Sequence, residues 1–254
     1  MADLDAMADK ARPKIERALA SLMRDIIARY EADNIAALPG DARDRVEDML
    51  RDIYRTAAQM GGEPMIEGMK DCFPHLERKQ DMDELFDEII EAFLEQFGAQ
   101  KVVQIAETTR KQIMRLIQEG QREGLGVQAI AKELREAIPS LSRYRSAVIA
   151  RTETHASSQY AQLRVAQTST RPLNKRWSSV EDARTRDFGE GDGEDDEFNH
   201  RAMHGQVVAM EQPFLVDTIF GTREPLMYPG DPNGSAGNVI NCRCSMTFRR
   251  ADRD

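Results

Sequence analysis

Four residues in the last quarter of the chain have the types and spacing of metal ligands: His200 and His204, then Cys242 and Cys244. Histidines at i and i+4 share one face of a helix, and cysteines at i and i+2 share one face of a strand. A helix packed on a strand therefore brings four zinc-compatible donors together. The competing reading is that two small buried thiols and two hydrogen-bonded histidines fill a tight module, since Cys-x-Cys is a weaker zinc signature than Cys-x-x-Cys. Catalytic versions fit less well. His200-Arg-Ala-Met-His204 lacks the Glu after the first His that acts as general base in zinc proteases. A cysteine on such a strand also has no helix terminus to activate it as a nucleophile. No phosphate-binding glycine loop, dinucleotide fingerprint or Gly-x-Ser-x-Gly elbow occurs. The acidic run Asp187 to Glu197 offers carboxylates to a divalent cation but lacks EF-hand spacing, and reads as a solvated surface loop.

The elements that must position these residues follow from periodicity and turn signals. Ile15, Leu19, Leu22, Ile26 and Ile27 form one stripe of a long amphipathic helix from Leu4 to about Tyr30. After the turn Leu38-Pro39-Gly40, Asp41 caps a second helix that is expected to stop at Gly61-Gly62. A third begins near Asp81 and carries Leu85, Phe86, Ile89, Ile90, Phe93, Leu94 and Phe97, ending at Gly98. That face is either core or an interaction surface, and core is the commoner use. Three further helices are predicted, over 101–119, over 127–134 up to Pro139, and from Ser142 to about Gln167. Beyond Arg171-Pro172 the 3.6-residue period fades. Lys175–Ser179 and Ile240–Phe248 read as strands, separated by the turn cluster Tyr228–Gly234. The fold class is α+β, with the N-terminal two-thirds mostly helical and a small, loop-rich C-terminal module.

With 254 residues, 41% hydrophobic and 31% charged, the composition excludes disordered and collagen-like chains. No apolar stretch approaches the roughly 20 residues that span a bilayer, and the N-terminus is acidic where a signal peptide is basic, so no membrane role is expected. Three cysteines cannot make a disulfide framework, which fits synthesis in a reducing cytoplasm. The net charge of −9 is unevenly spread: residues 1–97 carry −10, residues 98–170 carry +5 and residues 171–254 carry −4. These three segments are taken as an acidic helical region, a basic helical bundle and a compact α+β module. The basic segment either faces a negative partner such as nucleic acid, or lies against the acidic one. Residues 121–151, with Arg143, Arg145 and Arg151, have a superficial helix-turn-helix pattern. The following helix is too long for that motif, so nonspecific DNA contact is the reading kept for this segment.

Six short motifs then occur in order: Ile149-Ala-Arg-Thr-Glu153, Lys175-Arg-Trp177, Asp182-Ala-Arg-Thr-Arg186, His200 with Gly205-Gln206, Met227-Tyr-Pro-Gly-Asp-Pro232, and Asn241-Cys-Arg-Cys244. Together they resemble the phage head morphogenesis domain of Mu F-like minor head proteins, from about Lys101 to Phe248. The resemblance implies a virion or procapsid component made in the bacterial cytoplasm. It would be present in few copies at the portal vertex and touch the portal protein, the major capsid or scaffolding protein and packaged DNA, with no catalytic activity. Arg151, Glu153, Trp177, Asp182, Arg184, Arg186 and Asn241 become the structural motif residues. Arg184 and Arg186 would pair with carboxylates, and Trp177 would be the aromatic anchor. The acidic insertion before His200 departs from the family pattern. So does His204, where relatives often carry another polar residue, usually Asp or Asn, and this leaves His200, Cys242 and Cys244 as the donors of a structural zinc, with a different fourth ligand. The alternative function is a metal-dependent hydrolase or nuclease built on the same His/Cys cluster, and a free DNA-binding regulator is a third.

Overall fold

The computed structural model describes residues 4–189 and 194–251. Five long helices come first: α1 (Leu4–Asp33), α2 (Ala42–Gly68), α3 (Lys79–Phe93), α4 (Ala99–Arg122) and α5 (Val127–Gln167). They are followed by strands β1 (Leu173–Ser178), β2 (Arg186–Asp187), β3 (Glu194–Asp195), β4 (Val207–Ala209), β5 (Phe214–Asp217) and β6 (Arg223–Leu226), a short helix α6 (Ala236–Val239) and β7 (Ser245–Arg250). This is the α+β arrangement expected from the sequence. Among the described helices none is long and apolar enough to cross a membrane.

Three of the local stop signals do not stop their helices. Gly61 and Gly62 lie inside α2 because the space a side chain would occupy is taken. A Cβ on Gly62 would sit 2.5 Å from Cε1 of Phe86, and one on Gly61 would meet the Ser158 hydroxyl. These glycines are sites of close helix approach, not a terminus. Likewise α5 runs unbroken through Pro139, where two helices were expected. The missing N–H and the ring cost about 3 kcal/mol in a helix interior. Burial of Ile130, Ala131, Leu134 and Ile138 before the proline, and of Ser142, Ser146, Ile149 and Ala150 after it, offsets that cost. Gly98 also lies within helical backbone, because a π-helical turn, Leu94–Gly98, follows α3 directly and leads into α4.

The chain forms two compact units, which do not follow the charge boundaries. One comprises residues 8–53 and 94–150 and is wholly helical. Its core joins Leu22, Met23, Ile26, Ile27 and Tyr30 of α1 to Ile113 and Ile117 of α4 and to Ile130, Leu134 and Ile138 of α5. Arg45 binds Asp25 at 2.7 Å, and Arg135 pairs with Glu31. Part of the basic segment thus lies against the acidic one. Arg145 is also turned inward, reaching the Ile105 carbonyl at 3.4 Å, and with α5 continuous there is no turn of a helix-turn-helix.

The second unit comprises residues up to 7, 54–93 and 151–254. The apolar face of α3 (Phe86, Ile89, Ile90 and Phe93) is buried, which settles its use as core. A row of rings runs Tyr54, Phe93, Tyr160, Tyr228, with successive centroids 4.8, 5.0 and 6.0 Å apart. A three-stranded antiparallel sheet has the order β4-β1-β7, with β1 in the middle, pairing Trp177 with Met246 and Lys175 with Phe248. A β5-β6 hairpin and a short parallel β2-β3 pair complete the unit.

The alternation of β1 turns Leu173, Lys175 and Trp177 inward, so a lysine enters the core. The Lys175 Nζ donates to the Met227 carbonyl at 2.8 Å and sits 5.3 Å from the centre of the Phe214 ring. Burial lowers its pKa from 10.5 to about 8, against the opposing pull of Glu211 and Asp231. Between those values the unfolded chain holds the proton and the folded chain releases it, so stability rises with pH across that window. The expected gain is about 2 kcal/mol, allowing for partial solvation. Urea unfolding at a series of pH values should show this rise in the wild type and a flatter profile in Lys175→Met. Parallel profiles would contradict the assignment.

Candidate functional site

His200, Cys242 and Cys244 meet in the second unit. One ligand atom from each lies within 4.8 Å of the others, and all three residues are buried. The Nδ1 of His200 is 3.7 Å from the Cys242 sulfur and 3.6 Å from the Cys244 sulfur. They come together through elements other than those expected. Residues 200–205 form a run of turns ending at Gly205, whose φ is +81°. Cys242 and Cys244 precede β7, on a loop that turns at Asn241 with φ +57°. His200 is fixed by its N–H to the Arg186 carbonyl at 3.0 Å and by its own carbonyl, which accepts the Ser179 hydroxyl at 2.5 Å. Asn199 caps the turn, its Oδ1 accepting the Ala202 N–H at 2.9 Å.

His204 does not join the cluster, because a turn does not bring positions i and i+4 to one face. Its Nδ1 accepts the Ser179 N–H at 3.2 Å and lies 3.4 Å from Glu181. The donors that meet are the three that remain once His204 is set aside.

A second set of residues, silent in the sequence, orients these three. The Nε2 of His200 lies 2.6 Å from Oδ1 of Asn238, whose Nδ2 donates to Glu224 at 3.1 Å. Because Asn238 presents its oxygen, His200 carries its proton on Nε2, and the Nδ1 lone pair faces both sulfurs. Beneath the Cys loop, His155 of α5 donates from Nε2 to the Cys244 carbonyl at 2.6 Å. Burial pushes His155 downward in pKa, so it stays neutral. The Cys244 thiol is held well below its usual range by the Cys242 sulfur and then by His200 and Ser179, whereas Cys242 is pushed up by Cys244 and by burial.

The other motif residues build the frame. Arg243, the middle residue of Cys-Arg-Cys, grips Asp182 through both guanidinium nitrogens, one at 2.8 Å, and holds its carboxyl far below the carboxylate range. Asp182 in turn accepts the Arg184 N–H at 3.0 Å. Arg186 pairs with Asp196 at 3.0 Å and donates to the Ile240 carbonyl at 2.6 Å. Arg184 thus contributes its backbone, its side chain being exposed, and Arg243 makes the ion pair the sequence assigned to Arg184. Arg151 is exposed on α5, and buried Glu153 accepts the Tyr54 hydroxyl at 2.8 Å. Trp177 is fully buried, edge-on to His200 at 5.6 Å and to Phe214 at 5.3 Å.

The acidic run is anchored at both ends. Asp187 is wholly buried against Arg201 at 2.9 Å, and Asp196 binds Arg186; residues 190–193 lie outside the described residues. A small surface depression lined by Arg184, Arg186, Arg243 and Asn241 reaches His200 and Cys244.

A family model described as Phage Mu protein F like protein matches residues 110–247, more than half of the chain. No curated protein and no solved structure matches it.

Proposed function

The chain belongs to the Phage Mu protein F-like family of phage head morphogenesis proteins, and from that premise we propose that it is a minor head protein acting at the portal vertex. The observation that carries this reading is that the matched stretch holds every motif residue from Arg151 to Cys244, and that most of them serve to fix one another. Its partners in this reading are the portal protein and the major capsid or scaffolding protein, and its role is attachment, not reaction. The basic stretch 98–170 offers backbone-charge contact to packaged DNA that would weaken steeply with salt.

With the α3 stripe buried, the protein contacts fall to apolar groups held at the surface. The tip of the β5-β6 hairpin exposes Ile219 and Phe220, 53% and 74% accessible. It is held rigid by the Thr218 N–H to the Thr222 carbonyl at 2.9 Å, and by their paired hydroxyls at 2.7 Å. A pre-ordered exposed aromatic suits a protein partner. Co-purification with the co-expressed portal protein tests this. The double variant Ile219→Ser, Phe220→Ser should keep the wild-type unfolding curve and lose about tenfold or more in portal affinity. Unchanged affinity would remove the hairpin from the interface, and failure of the wild type to bind portal, capsid or scaffold would overturn the reading itself.

A further inference from the structure

We propose that His200, Cys242 and Cys244 bind one zinc ion, with solvent in the fourth position. The first support is metric. Zinc bonded to sulfur at about 2.3 Å and to nitrogen at about 2.0–2.1 Å in tetrahedral geometry separates N from S by about 3.6 Å. The two N···S separations here are 3.6 and 3.7 Å.

The second support is donor bookkeeping of hydrogen bonds. Both sulfurs converge on the one imidazole lone pair, which can accept from only one thiol at a time, while the Cys244 thiol also reaches the Ser179 oxygen at 3.7 Å. A bound cation uses both sulfurs and that lone pair together. The third support is the shell behind the ligand: Nε2–H to Asn238 and Asn238 to Glu224 is the orienting chain that presents a histidine nitrogen to a metal. Asn238 is fully buried.

A surface depression that reaches two of the three donors, His200 and Cys244, would supply solvent to the fourth position. Ser179 donates its hydroxyl to the His200 carbonyl, and its oxygen accepts the Cys244 thiol at 3.7 Å. Binding exchanges two thiol protons for the ion, and two thiolates balance its charge, so the centre is neutral overall. The ion would tie the Cys loop to the His200 turn across more than forty residues of sequence. This inference does not rest on the proposed head function.

The test uses the full chain expressed with zinc supplementation and purified without chelator. Elemental analysis should give close to one zinc per chain. Exchange with cobalt(II) should produce the thiolate-to-cobalt charge-transfer band and the intense visible bands of a tetrahedral site. Cys242→Ser and Cys244→Ser should lose the metal, and Asn238→Ala should weaken its binding about 10–100-fold. Because those variants risk misfolding, the wild-type cobalt spectrum decides the question without them. Zinc below about a tenth of an equivalent with both thiols free to react, or an octahedral cobalt spectrum, would overturn the site.

Discussion

Trp177→Ala should lower the stability of the chain by about 3–5 kcal/mol, a large fraction of what a domain has to lose. The residue is fully buried near the C-terminal end of β1, the middle strand of the sheet, opposite Met246 of β7, and its ring meets the edges of His200 and Phe214. The indole Nε1 has no hydrogen-bond partner among the described residues, so the loss is one of packing and cavity, not of a polar contact. Trp177→Phe should therefore cost much less than the alanine variant. Urea denaturation followed by circular dichroism checks both. The midpoint should fall sharply for Ala and modestly for Phe, with the slope kept. A loss below about 1 kcal/mol for Trp177→Ala would mean that the module does not rest on this ring.

Arg201→Ala should cost about 3 kcal/mol by a different mechanism. Asp187 is wholly buried, with Arg201 at 2.9 Å and the Gly189 N–H at 2.9 Å as its partners in the structure. Truncating the arginine strands a desolvated carboxylate, whereas removing both members leaves no buried charge. The double variant Asp187→Ala, Arg201→Ala should then be more stable than Arg201→Ala alone, and a double-mutant cycle from denaturation curves measures that coupling. Additive losses would show that the pair is screened and contributes little. The same measurement reports on the acidic run, because Asp187 begins it and lies directly after Arg186, whose carbonyl receives the His200 and Arg201 N–H groups.

What the sequence made legible was governed by local periodicity. The amphipathic stripes of α1, α3 and α4, the buried Trp177 strand and the change of texture after Arg171 all follow from spacing that one segment carries by itself. The misplacements arise where a distant partner overrules a local signal. Gly61-Gly62 looks like a stop until Phe86 and Ser158 occupy the missing side-chain space. Pro139 looks like a break until apolar residues on both sides are buried. The cysteines fit a strand by alternation, yet Asn241 turns the chain before them.

The site divides in the same way. His200, Cys242 and Cys244 stood out because their side chains have few common uses. Asn238, Glu224 and His155 had no such mark, since an asparagine beside a histidine nitrogen is a relation between residues 38 apart. Arg243 was hidden between the cysteines, and its partner Asp182 lies 61 positions away. A buried lysine such as Lys175 was foreshadowed only by its place in the alternation of β1, with Trp177 two residues on.

The central claim, that this Phage Mu F-like chain is built into the head, is tested most directly by counting it there. Heads assembled with the neighbouring portal, capsid and scaffolding proteins would be purified, and the chain quantified per particle by mass spectrometry. A few copies per head are expected, retained through washing at moderate salt and lost when the portal is left out. Absence from both procapsids and mature heads would contradict it.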